Sequence, residues 1–98
     1  MSRLRKKATI AYYRIGFGEY EVLDDLIDPD FVEGHGEPCG TKEIGTREEF
    51  ETLENEYWAK EDAMYAHVIS DEIGEITTGT AGMLEDWDIV EDALGVSA

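Results

Sequence analysis

The segment Ala81 to Val96, AGMLEDWDIVEDALGV, decides how the chain is read. Taken as a strand running into a terminal turn of helix, it places Met83, Trp87 and Ile89 on one face, while Leu84, Asp86, Asp88 and Val90 share the other. The second face mixes two apolar residues with two carboxylates. A carboxylate carried beside buried residues must be paired, protonated or functional, which makes Asp86 and Asp88 the first site candidates.

The run Leu84-Glu85-Asp86-Trp87-Asp88, followed by Asp92-Ala93-Leu94-Gly95, resembles the closing motif of SnoaL-like polyketide cyclases in the nuclear transport factor 2-like superfamily. That motif reads Glu-His-Trp-Asp, a short spacer, then Asp-Ala-Leu-Gly. Two further segments resemble the family in the same order: Gly18 to Val32, its loop, short helix and Asp-Phe-Val strand, and Gly45 to Phe50, the helix start that follows. The resemblance implies helices packed on one face of a curved, cone-like antiparallel sheet, shortened between Tyr65 and Gly82. It assigns Asp88 as general acid/base, with Asp86 at the family's His position on the pocket rim. Trp87, Trp58, Tyr13 and His35 are the accompanying pocket candidates. The implied ligand is a hydrophobic carbonyl compound handled by acid-base chemistry without a cofactor.

Charge is the strongest compositional signal: 24 Asp and Glu stand against 8 Lys and Arg, a net charge of −16. Arg3, Arg5, Lys6, Lys7 and Arg14 give +5 before Ile15, so the remainder carries −21. A field of that sign repels phosphate backbones and argues against nucleic-acid binding. Acids spread over ordinary amphipathic elements, with few Lys, fit a protein from a high-salt cytoplasm, where self-repulsion is screened. No apolar run reaches membrane-spanning length, and Met1 to Arg14 lacks the apolar core of a signal peptide. A cytoplasmic protein without membrane association is expected. The single Cys39 has no partner for an internal disulfide and no metal-ligand spacing around it.

The 98 residues read as one α+β domain with a flexible basic arm over 1–7. Ile10, Ala11, Tyr13, Ile15 and Phe17 suggest a first helix with Tyr12 outward, and Glu19 to Ile27 a second, stopped by Asp28-Pro29. Phe31-Val32 reads as a short extended piece, and Gly34 to Gly40 as a loop carrying His35. Thr46-Arg47-Glu48-Glu49 fits a capping box opening a helix to about Lys60, whose face is Phe50, Leu53, Glu54, Tyr57 and Trp58. Met64 to Ile69 alternates as a strand, and Ile76-Thr77-Thr78 is a second.

The chemistry expected from this order is a carboxylate and imidazole pair formed by Asp88 and His67 across neighbouring strands. Phosphate loops, serine elbows and zinc motifs are absent from the sequence, and no transition metal or cofactor is expected; so acidic a chain leaves an oxygen-ligand Ca²⁺ or Mg²⁺ site open, without an EF-hand loop. A narrow sheet exposes edges, so a homodimer is expected. The rival reading is a non-catalytic assembly or structural module, including a viral one. A closed cavity holding Asp88 would favour the enzyme, and a filled core the module.

Overall fold

A computed structural model describes residues 3–72, 74–82 and 86–97. The sheet is built around β1 (Arg3–Ile15), which pairs antiparallel with β2 (Glu37–Thr46) on one side and β3 (Met64–Ser70) on the other. The hairpin neighbour β4 (Glu75–Thr80) extends the order to β2-β1-β3-β4, and β5 (Val96–Ser97) pairs with the start of β1. The helices are α1 (Pro29–His35), α2 (Arg47–Trp58) and α3 (Asp86–Leu94), with a 3₁₀ turn at Leu23–Ile27. The architecture is α+β with an open antiparallel sheet.

The first segment is a strand and not a helix. Because β1 is central and covered on both faces, a continuous apolar run from Ile10 to Tyr13 lies within it and its period of two is blurred. Ala8, Ile10 and Tyr12 pack towards α2 and α3, while Tyr13 and Ile15 pack towards the opposite layer. The basic arm is likewise part of β1 from Arg3 onward, where Arg3 pairs with Thr46 and Ser97 and Leu4 with Val96.

Between β1 and β2 the expected helix over Glu19–Ile27 reduces to the 3₁₀ turn. There the Asp25 carboxylate accepts from the backbone N–H groups of Glu21 (3.0 Å) and Val22 (3.4 Å), drawing them away from a longer helix. Asp28-Pro29 starts a helix where a stop was expected. Asp28 caps it by accepting from Asp30 N–H at 3.0 Å, and Pro29 occupies the first turn, where its missing donor is harmless. Phe31 and Val32 are therefore helical, and most of the Gly34–Gly40 segment belongs to β2. Tyr12 pairs with Gly40 and Tyr13 with Pro38, so Cys39 forms a bulge.

β2 and β3 both run antiparallel to β1, so α2 must cross the sheet face between them. It starts as the sequence indicates: Thr46 Oγ1 accepts from Glu49 N–H at 3.2 Å, and the Glu49 carboxylate accepts from Gly45 N–H at 3.2 Å. Phe50 and Glu54 lie buried on its inner side. The Ala81–Val96 segment is helical from Asp86, because Trp87, Val90 and Leu94, at spacings of three and four, form its buried stripe. The expected placements of Met83 and Leu84 lie outside the described residues. α2 and α3 cover one sheet face; the 3₁₀ turn and α1 cover the other, where Leu26 and Val32 meet Ile15, Ala66 and Val68. No helix among the described residues is long and apolar enough to cross a membrane.

Thr46→Ala removes the cap oxygen and leaves an orphan amide at the start of α2. It is expected to cost about 1 kcal/mol. Urea unfolding at fixed salt measures this, and an unchanged midpoint would show that Glu49 alone suffices.

Candidate functional site

α2, β3, α3 and β1 each deliver one side chain to a single polar cluster inside the apolar layer. Glu54 points inward from α2, four residues after Phe50, and His67 stands on the same face of β3 as Tyr65 and Ile69. Both are 0% exposed. His67 Nε2 lies 2.7 Å from Asp86 Oδ2, at the first turn of α3, and His67 Nδ1 lies 2.8 Å from Glu54 Oε1. Tyr12 from β1 donates its hydroxyl to Glu54 Oε2 at 3.0 Å.

An imidazole flanked by acids on both nitrogens is favoured as the imidazolium, which carries a proton on each. Nε2–H donates to Asp86 with good geometry. The Nδ1 contact is close but bent away from a directed hydrogen bond, so Glu54 acts on it mainly as a charge. Burial alone would lower the His67 pKa; the Asp86 hydrogen bond and the Glu54 contact outweigh it and raise the value from 6.5 to about 9. Burial also pushes the Tyr12 phenol far above its ordinary range, assisted by the Glu54 charge.

The ring edges complete the enclosure. Tyr12 and Phe50 meet His67 edge-on at 6.3 and 6.1 Å, and Phe50 packs on Trp87 at 6.0 Å. Gly79 on β4 is required by close approach, since a Cβ there would run into the Asp86 carboxylate and stand 3.2 Å from His67 Nε2. The two carboxylates approach the ring from opposite sides, and among the described residues no group of His, Cys, Asp and Glu is placed to hold a metal ion.

The carboxylate that meets His67 is therefore Asp86, not Asp88. On a helix, residues two apart point to different sides, so Asp86 faces the sheet while Asp88 is exposed. Trp87 is fully buried and donates its indole N–H to Glu91 at 2.7 Å, filling core and lining no described hollow. Tyr13 lies on the opposite sheet face, and His35 is exposed at the end of α1, stacked on Phe31 at 4.3 Å. Glu54 and Tyr12 are the members that sequence reasoning missed. An acid on the apolar stripe of α2 was the available signal for Glu54; Tyr12 was hidden by the helical reading of β1.

Trp58, by contrast, is 61% exposed. It borders a hollow of about 150 Å³ lined also by Phe17, Tyr57, Lys60, Ala63 and Ala81. Gly82, at φ +97°, lets the backbone pass under the indole, where a Cβ would stand 2.7 Å from the ring. Tyr57 stacks on Tyr12 at 3.9 Å and 10°, so the hollow connects to the buried cluster through one aromatic contact. Two further concavities are rimmed with acids, one by Glu43, Glu48, Glu49 and Glu56, the other by Glu43, Asp71 and Glu72. Comparison with known proteins finds no matching family, no matching curated protein and no matching solved structure.

Because the folded-state pKa of His67 lies above its unfolded value, its contribution is full below pH 6.5 and is lost as pH rises through about 9. Urea unfolding should lose about 3 kcal/mol across that window. His67→Gln should be destabilised below it and much flatter across it. A wild-type stability constant from neutral to alkaline pH would mean that the imidazole is not charged in the fold.

Proposed function

We propose that this chain is a small-molecule-binding domain of the SnoaL-like kind, working in a high-salt cytoplasm, that takes a hydrophobic ligand in the hollow at Trp58 and acts by binding. The observation that carries this reading is the exposure of Trp58 and Phe17, each 61%, around a hollow of about 150 Å³. Large aromatic side chains held open together gain from burial when a ligand enters. A catalytic role for the polar cluster has less support. His67 and Glu54 are enclosed, and Asp88, the acid/base residue implied by the resemblance, sits on the outer side of α3.

NMR chemical-shift mapping with cyclohexanone, acetophenone and benzoate tests the site. Shifts should centre on Phe17, the Trp58 indole N–H and Lys60, and Trp58→Ala should weaken the binding they report. Shifts confined to α3 around Asp88, or none at all, would reject the reading.

The high-salt assignment is supported by the charge of −16 and by surface ion pairs too exposed to offset it. Lys7–Glu43, Arg14–Asp62 and Arg47–Glu51 all lie between partly or largely exposed side chains and contribute little. Thermal melts followed by circular dichroism should move up markedly between about 0.1 and about 3 M KCl. A flat midpoint would remove the assignment.

A second reading, assembly of a homodimer, is favoured by β2. It is an edge strand whose residues Glu37–Glu43 are all exposed, and pairing with a second copy would join two sheets. Light scattering at high concentration decides it, since a particle of 11.0 kDa is a monomer.

A further inference from the structure

We propose that the ligand of the Trp58 hollow is a single six-membered aromatic ring carrying an anionic group, of the aryl carboxylate class, with Lys60 as the residue that selects the anion. This rests on the binding reading above and names the chemistry it would recognise. Size comes first. A hollow of about 150 Å³ matches the volume that admits one benzene ring in an apolar protein cavity. Depth is given by two small buried side chains, Ala63 and Ala81, at 4% and 1% exposure, beneath the larger rings. Trp58 and Phe17 supply the exposed aromatic surface against which a flat ligand packs.

Charge decides the rest. The Lys60 ammonium stands 4.2 Å from the Tyr57 ring centroid and 5.3 Å from that of Tyr65. Both rings are held in place: Tyr57 stacks on Tyr12, and the Tyr65 hydroxyl donates at 3.0 Å to Asp62, which also accepts from Arg14 Nε at 3.3 Å. Among the described residues Lys60 makes no ion pair and no carboxylate lines the hollow. In a chain with 24 acids, this cation has no carboxylate partner among the described residues. A carboxylate on the ligand's ring supplies it. A cationic ring would meet the Lys60 charge on the faces that cation–π contact requires.

Benzoate, benzamide and benzamidine share a ring and nearly a shape but differ in charge, so calorimetric or NMR titration of the intact chain, at the lowest KCl that keeps it folded, separates the contributions. Benzoate should bind about fivefold to tenfold more tightly than benzamide, with benzamidine weakest. Lys60→Met, which keeps the aliphatic stem, should remove the difference in affinity between benzoate and benzamide. Trp58→Ala should weaken all three. Equal affinities for the three compounds, a preference for benzamidine, or a benzoate preference that survives Lys60→Met would each overturn the anion assignment while leaving a ligand site in place. Failure of all three to bind would remove the site itself and the binding reading with it.

Discussion

A charged imidazole held between two carboxylates inside an apolar layer is the constraint around which the chain is arranged. Moving such ions out of water costs several kcal/mol each, so the arrangement persists only where geometry returns that cost through close contacts. Here the return requires four elements at once: Glu54 from α2, His67 from β3, Asp86 from α3 and Tyr12 from β1. The Tyr12 hydroxyl donates to the second Glu54 oxygen and so ties the sheet to the same cluster. A misplaced helix would strand a charge, and this penalises alternative packings more sharply than apolar contacts alone, which tolerate sliding.

Which parts of the fold were legible from sequence depended on how locally each element is specified. α2, β3 and β4 announce themselves locally, by a capping box at Thr46, alternation from Met64 to Ile69, and Ile76-Thr77-Thr78 between glycines. β1 was not legible because its second face is also partly covered, so Ile10, Ala11, Tyr12 and Tyr13 present no clean period. α3 was misread because Trp87 and Ile89 can be aligned at a spacing of two. The spacing that matters, Trp87 to Val90 to Leu94, competes with that alignment over barely two turns. A pairing between a histidine and an acid in the closing segment was foreseeable; the partner depended on the type of element. A strand would have placed Asp86 and Asp88 on one side, whereas the helix separates them and presents only Asp86 to His67.

Surface charge acts at another level. The acids that give the chain −16 lie mostly outside the packed layers, and their local work is capping: Asp28 for α1, Glu49 for α2, and Asp25 for the 3₁₀ turn. Each satisfies backbone donors that would otherwise need water, and the caps of α1 and α2 sit at the positive ends of their helices. The remaining acids act against one another, and their mutual repulsion opposes compaction in dilute salt. Specific structure and general repulsion thus come from the same residue types, separated only by where the backbone places them.

The Trp58 hollow inherits its shape from the buried cluster. Tyr12, fixed by its hydrogen bond to Glu54, presents a ring face on which Tyr57 stacks, and Tyr57 in turn meets the tilted ring of Tyr65 at 5.4 Å and offers a place for the Lys60 ammonium. One wall of the hollow is therefore the far end of an aromatic series that begins beside the imidazolium. Pre-set walls matter in a site this small, because a ligand of a few atoms returns too little energy to order loose side chains. On the other side Gly82 runs beneath the indole of Trp58, so the exposed ring stands on backbone. The polar cluster can thus shape binding without touching the ligand: it fixes Tyr12, Tyr12 seats Tyr57, and Tyr57 sets where Lys60 places its charge.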